Sequence, residues 1–174
     1  MADSKSLESL KQEMFMILQL CWVEQRLGFK IALNPDIVQT PDFLAIFYSL
    51  QVINNDITVR LGKFVDKRND TSSLYTVIKE LEKTKRAKSK PDLASIKADI
   101  DKFAKTEFAE VKKRRDEKLA HLKKGHDSTW LEGSYFLGSV LEIRNFLDKL
   151  NGKKIEYIWR DNRLNTDLDL RKII

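Results

Sequence analysis

The chain has 174 residues, of which 32 are Lys or Arg and 26 are Asp or Glu, so its formal net charge is +6. This length is enough for one domain with a packed core and short for two. The 42% of hydrophobic and 33% of charged residues are typical of a globular protein and exclude a wholly disordered chain. The positive charge permits an anionic partner but does not require one.

The cysteine and histidine content restricts the chemistry and the compartment. Cys21 is the only cysteine, and His121 and His126 are the only histidines. We therefore expect no intrachain disulfide, no metal site and no cofactor. A lone cysteine favours a reducing compartment, and the charged N-terminus lacks the apolar run of a secretory signal. No apolar segment is long enough to span a membrane, so we expect a cytoplasmic protein.

Apolar residues recur every three or four positions along most of the chain, which predicts helices. The first helix should end before Asn34, because a residue that precedes proline disfavours the helical conformation. The sequence Thr40-Pro41-Asp42 predicts the start of the second helix, with Thr40 as its cap and proline at its first position. Further stripes predict a short helix from Leu74, one long helix from Pro91 to about Leu122, and a helix that ends at Asn151-Gly152.

Together these segments predict an all-α fold, an up-and-down bundle of about five helices over residues 1–152. Residues 153–174 should form a C-terminal arm, either extended or a short helix. The alternation from Lys154 to Trp159 fits a short strand or an extended segment. We expect Tyr157 and Trp159 to attach the arm to the bundle or to a second subunit, rather than to stack on bases.

A basic segment near the end of the predicted long helix interrupts its apolar stripe. Four residues after Val111 the stripe reaches Arg115, and four residues later it reaches Leu119. A guanidinium therefore lies where packing favours an apolar group, and an unpaired buried charge is costly. Either Arg115 extends to the surface, or this part of the helix lines a polar cleft.

An arginine and a histidine near one helix end suit the cleavage of a phosphodiester. At 100° per residue, His121 lies about 120° around the helix from Arg115 and within about 20° of Arg114. Histidine can transfer a proton at neutral pH, arginine can stabilise a phosphorane, and RNA supplies its own 2′-hydroxyl as nucleophile. The alternative is structural, since a histidine there also interacts with the last carbonyls and basic runs are usually solvated.

Two segments resemble a known superfamily. Arg115-Asp116-Glu117-Lys118-Leu119-Ala120-His121 is similar to the HEPN signature, in which an Arg, a polar residue and then a His end a long helix. Arg60-Leu61-Gly62-Lys63-Phe64-Val65-Asp66, with Ser73-Leu74 and Leu81 after it, resembles the abortive-infection branch of the HEPN proteins. The resemblance covers residues 55–122.

This resemblance implies an all-α homodimer that joins two Arg–His motifs into one metal-independent endoribonuclease site with a toxin or phage-defence role. His121 would transfer the proton, Arg115 would hold the phosphate, and Asp116 would orient one of them or the partner chain. Arg114 is an alternative to Arg115. RNA and a cognate antitoxin are the implied further partners, although Lys123 stands where some HEPN toxins carry a tyrosine that an antitoxin modifies.

Three other residues are candidates for supporting roles. Asn54 interrupts an apolar stripe, either as a buried hydrogen-bonded amide or because it faces the Arg–His cleft. Arg60 and Asp66 belong to the second similar segment and should form structural ion pairs or contact the site residues. The alternative function is a non-catalytic helical dimer that binds RNA or a nucleotide or serves as a scaffold.

Overall fold

The computed structural model of the chain describes residues 4–68, 70–83, 92–121, 136–160 and 167–172, with the backbone alone for 117–121. Six α-helices lie within these ranges: α1 (Lys5–Leu33), α2 (Pro41–Phe64), α3 (Leu74–Lys83), α4 (Leu93–Lys105), α5 (Ala109–His121) and α6 (Leu137–Asn151). A 3-10 helix, Pro35–Gln39, connects α1 to α2, and a second one, Leu170–Lys172, follows the last strand. The predicted all-α bundle is therefore confirmed.

Three helix ends lie where the sequence predicts them, and one predicted capping interaction is not formed. Helix α1 stops before Asn34, α2 has Pro41 at its first position, and α6 ends at Gly152, whose φ of 74° suits glycine. Thr40 occupies the N-cap position of α2, but the prediction that its side chain caps the helix is wrong. Its hydroxyl donates instead to the carbonyl of Ile37 at 2.7 Å.

The prediction of one long helix from Pro91 to about Leu122 is also wrong, because α4 ends at Lys105 and a separate helix, α5, begins at Ala109. Thr106 leaves the helical conformation with φ −109° and ψ −90°, and its hydroxyl donates to the carbonyl of Lys102 at 3.0 Å. After the break the Phe108 ring packs 5.5 Å from that of Phe103 in the core. Helix α5 therefore does not have to continue along the axis of α4.

Helices α1 and α2 pack side by side in opposite directions. Glu13 accepts hydrogen bonds from Arg60 at 2.8 Å and from Lys63 at 3.2 Å, which fixes their register at the C-terminal end of α2. Helices α3, α4 and α6 pack around this pair and bury one continuous hydrophobic core. The largest fully buried side chains are Phe64, Phe108, Phe136 and Phe146. None of the described helices has both the length and the apolar character of a membrane span.

The arm after α6 folds back onto the bundle. Tyr157 and Leu170 are buried in the common core, and the Trp159 ring meets Trp22 of α1 edge-on at 5.3 Å. Within the arm, β1 (Ile158–Trp159) pairs with β2 (Leu168–Asp169) in antiparallel register. The division into residues 1–152 and 153–174 stays a prediction.

A half-buried ion pair connects the arm to α6. Asp148 accepts two hydrogen bonds from Arg171, at 3.1 and 2.7 Å, and one from the backbone N–H of Ile155 at 2.8 Å. The two side chains are only 18% and 15% exposed. Arg171 also donates to the carbonyl of Ile155 at 2.8 Å, so the pair fixes both ends of the arm.

We expect Asp148→Ala to lower the free energy of unfolding by about 1–3 kcal/mol, since it leaves a half-buried guanidinium and a backbone N–H without their acceptor. Urea denaturation followed by circular dichroism measures this loss. The matched control is Arg160→Ala, which removes the pair with Asp167, whose side chains are 78% and 59% exposed. That variant should lose about 0.5 kcal/mol or less. Equal losses in the two variants would contradict the conclusion that the Asp148–Arg171 pair stabilises the fold more than an exposed ion pair does.

Candidate active site

Helix α5 packs on the C-terminal half of α2, where Arg115 meets Gly62. The Lys67 ammonium lies 2.9 Å from Oδ1 of Asp101, which places the end of α4 beside the end of α2. Helix α5 begins soon after that point, and its Arg115 side chain lies against Gly62 of α2.

Gly62 provides the space that Arg115 occupies. A Cβ atom at this position would lie 2.7 Å from Nη1 and 2.9 Å from Cδ of Arg115, closer than such atoms approach in folded proteins. A glycine inside a helix costs about 1 kcal/mol relative to alanine. The contact with the Arg115 side chain gives this glycine a packing role. It also brings the two segments that resemble HEPN proteins into direct contact.

The Arg115 guanidinium is held by its sequence neighbour. Nε and Nη2 both donate to Oδ1 of Asp116, at 2.9 and 2.7 Å. The Arg115 side chain is 25% exposed and that of Asp116 is 53% exposed. The interruption of the apolar stripe is thus resolved without an unpaired buried charge, and a quarter of the Arg115 side chain stays exposed.

A second carboxylate lies in the neighbourhood of Arg115. Asp66 accepts hydrogen bonds from Nε and Nη2 of Arg68 at 2.9 and 2.7 Å, and from the Arg68 backbone N–H at 3.0 Å. These bonds lower the pKa of Asp66, and the positive charge of Arg115 contributes further. Asp66 is therefore ionised at neutral pH. The sequence analysis missed Arg68, and its position two residues after Asp66 was the available signal.

Arg60 and Arg114 each pair with carboxylates other than Asp116. Arg60 pairs with Glu13 of α1 at 2.8 Å and with Asp56 at 2.9 Å, so it connects the two long helices. Arg114 donates to Glu110 at 2.7 Å, one turn earlier on α5.

Asn54 is buried, and it lies closer to the N-terminal end of α2 than Gly62 does. Its residue is 7% exposed, and its backbone carbonyl accepts the hydroxyl of Thr58 at 2.6 Å. Within the described part of the chain its Oδ1 atom has no hydrogen-bond partner. Eight residues, about 12 Å of helix, separate it from Gly62.

His121 is the last residue of α5, six positions or about 9 Å of helix beyond Arg115. Its side chain lies outside the described residues, as do Lys123 and His126. The distance between the His121 imidazole and the Arg115 guanidinium stays a prediction.

Two further kinds of chemistry, metal binding and attack by a thiol, can be examined in the described residues. Across the described ranges no group of three or more His, Cys, Asp or Glu side chains is placed to hold a metal ion. Metal independence itself stays a prediction. Burial, with a smaller contribution from the charge of Glu24, raises the pKa of Cys21 to about 12. The Cys21 thiol is therefore protonated at neutral pH and is no nucleophile.

Comparison with known proteins identifies the family. The family model described as AbiU2, a HEPN-type abortive-infection family, matches residues 6–152. The chain belongs to this family. The match includes both α2 and α5, and ends before the C-terminal arm. Neither a search of curated proteins nor a search of solved structures returned a match.

The contact between Gly62 and Arg115 predicts different effects for two glycine substitutions. Gly62→Ala should leave the free energy of unfolding unchanged or lower it by about 1 kcal/mol, because the shift that the added methyl group forces on the Arg115 side chain offsets the higher helix propensity of alanine. Gly28→Ala, at a helical position with no neighbouring atom within 4 Å, should raise it by about 0.5–1 kcal/mol. Urea denaturation measures both values.

A double-mutant cycle separates this clash from other effects of the methyl group. In an Arg115→Ala background the space is empty, so Gly62→Ala should become neutral or stabilising. If Gly62→Ala destabilises the protein equally with and without the Arg115 side chain, the contact is not the cause.

Proposed function

We propose that this member of the AbiU2 family is a metal-independent endoribonuclease of the HEPN type, which acts as a toxin in abortive infection of phage-infected cells. The observation that carries the proposal is the position of Arg115, partly exposed and held by Gly62 and Asp116 where the two family-like segments meet. A cognate antitoxin would be a further partner in this role.

Arg115 suits the binding of an RNA phosphate. A guanidinium donates up to five hydrogen bonds in a fixed plane, and Asp116 uses only part of them. Lys112 and Lys113 are exposed on the same helix, and the whole chain has a net charge of +6. These charges favour the approach of a polyanion.

His121 would perform the proton transfer. In this mechanism the imidazole accepts the proton of the 2′-hydroxyl while the 2′-oxygen forms a bond to phosphorus. Arg115 stabilises the extra negative charge of the phosphorane. The bond from phosphorus to the 5′-oxygen then breaks, this oxygen takes a proton from water as it leaves, and the imidazolium returns its proton to the solvent. The products are a 2′,3′-cyclic phosphate and a 5′-hydroxyl.

The separation of the two groups favours a site made by two chains. Within one α5 helix, Arg115 and His121 point about 120° apart and lie about 9 Å apart along the axis. A phosphate bound by Arg115 is therefore better placed to meet His121 of a second copy. We include the homodimer in the proposal for this reason.

The test is cleavage of single-stranded RNA by the purified protein in the presence of EDTA. His121→Ala should reduce cleavage at least 10²-fold, the loss typical of a missing general acid or base, without changing the circular dichroism spectrum. His126→Ala removes the other histidine of the chain and is the matched control, with cleavage expected to continue. Cleavage that survives His121→Ala would refute the mechanism.

A non-catalytic dimer that binds RNA or a nucleotide, or serves as a scaffold, is the second candidate. It is favoured by the same geometry, because an arginine that packs on Gly62 and pairs with Asp116 can be wholly structural. Arg115→Met keeps much of the packing volume and removes the charge. Under the enzyme proposal this variant stays folded and loses cleavage, whereas under the alternative the unaltered protein already shows no turnover.

A further inference from the structure

A cleft of about 580 Å³ lies between α1 and the C-terminal arm. Its volume is within the range of small-molecule sites, which is roughly 300–1,000 Å³. We call it the arm cleft. Its lining combines aromatic, aliphatic, amide and charged side chains: Phe15, Gln19, Glu156, Ile158, Trp159 and Arg160.

The arm cleft lies on the side of α1 that is turned away from α2. Glu13, which pairs with Arg60 of α2, marks the opposite side. At 100° per residue, Phe15 and Gln19 lie about 160° and 120° around α1 from Glu13. Helix α1 therefore lies between the cleft and α2, which carries part of the candidate active site. The half of the cleft that the arm supplies also lies beyond the segment that matches the family model.

The arm forms a fixed wall of the cleft, because its other side is anchored in the core. Alternate side chains of an extended segment point to opposite sides. Tyr157 is buried in the core, whereas its neighbours Glu156 and Ile158 line the cleft. The Tyr157 carbonyl also accepts a hydrogen bond from the backbone N–H of Leu170 at 2.9 Å. The cleft thus exists before any ligand binds.

Trp159 offers an aromatic surface to the cleft while it attaches the arm to α1. Its ring meets that of Trp22 at an interplanar angle of 86°. An edge-on contact covers at most one face of each ring, and Trp159 is only half-buried, as is Phe15. Aromatic side chains of this kind stack on nucleobases of any sequence, because every base has a π-face. The attachment of the arm and the stacking of a base are therefore compatible.

The two polar groups beside these rings select among flat ligands. An ionised carboxylate such as that of Glu156 only accepts hydrogen bonds, whereas the carboxamide of Gln19 both donates and accepts. Guanine offers a carboxylate two adjacent donors, its ring N–H and its amino group, and it offers a carboxamide the neighbouring carbonyl oxygen. Adenine and cytosine offer one amino group, and uracil offers a ring N–H between two carbonyls. The pair therefore fits an amino-bearing base, and fits guanine best.

Arg160 supplies a cation for the phosphate of such a ligand. Its side chain is 78% exposed, and its Nε lies 3.1 Å from Oδ2 of Asp167. An ion pair as exposed as this contributes little to stability, so a ligand can replace it at low cost. The guanidinium can then bind a phosphate through two parallel hydrogen bonds.

Arg26 extends the same surface along α1. Its guanidinium lies 5.4 Å from the centroid of the Trp22 ring. Seven residues, about 10 Å of helix, separate it from Gln19, and both point to the same side of α1. A single nucleotide in the cleft would not need Arg26, whereas an RNA chain that continues along α1 would meet it.

We propose that the arm cleft binds a nucleotide with an amino-bearing base, guanine above the others. The base stacks on Trp159 and Phe15, its amino edge meets Glu156 and Gln19, and its phosphate meets Arg160. A free nucleotide and one unit of an RNA chain offer this same chemistry. The inference goes beyond the proposed function, since it requires neither cleavage of RNA nor a second copy of the chain.

The experiment titrates GMP and UMP into the full chain by isothermal titration calorimetry. GMP should bind one per chain and at least about tenfold more tightly than UMP, the difference expected for hydrogen bonds to a charged group. Glu156→Gln keeps the size of the side chain and should remove this preference. The matched control is Glu107→Gln, the same change at an exposed position outside the cleft, which should keep it.

Two further variants test the stacking and the phosphate contact. Trp159→Ala should weaken GMP binding about tenfold through the lost stacking, with circular dichroism to check that the protein stays folded. Arg160→Gln should weaken the binding of GMP and leave that of guanosine, which has no phosphate, unchanged. No binding of GMP at about 1 mM, or equal affinity of the unaltered protein for GMP and UMP, overturns the inference.

Arg26→Gln distinguishes the two sources of the nucleotide. The probe is a 2′-O-methyl RNA hexanucleotide with one guanine, which cannot be cleaved through a 2′-hydroxyl. Weaker binding of the hexanucleotide with unchanged binding of GMP identifies the cleft as part of an RNA-binding surface. Unchanged binding of both identifies it as a site for the free nucleotide. Cleavage of RNA by a protein that fails to bind GMP would overturn this inference and leave the proposed function intact.

Discussion

The packing of Arg115 against Gly62 is the contact on which the arrangement of the candidate site depends. Because Gly62 has no Cβ atom, the Arg115 side chain can lie against α2 at this position. Asp116 then fixes the guanidinium in its plane through two hydrogen bonds. The glycine and the carboxylate together therefore hold the guanidinium in one place before any ligand binds.

The break at Thr106 makes this contact possible. A straight helix from Leu93 onward would continue in the direction of α4, which packs on α3 and α6. The Thr106 hydroxyl bonds to the carbonyl of Lys102, and Phe108 then enters the core beside Phe103. The loss of a few helical hydrogen bonds is offset by the burial of that ring, which contributes roughly 1.5–3 kcal/mol. As a result α5 leaves the line of α4 and packs on α2.

Local signals in the sequence were sufficient for the fold class and for most helix ends, because proline and glycine act on the backbone wherever they occur. Pro35 and Gly152 are examples. The break at Thr106 was missed because it depends on the long-range burial of Phe108. The role of Gly62 was missed for a similar reason, since a glycine in a helix does not indicate which side chain approaches it. The sequence did indicate that Arg115 needs a special environment, and Asp116 is part of it.

Helix α2 serves two different surfaces with one continuous face. Its C-terminal half accepts α5 at Gly62, and its N-terminal half exposes Leu44, Tyr48 and Val52 within residues 43–55, a stretch that carries no charge. A helix that needed only to stabilise its own bundle would gain solubility from charges on that open half.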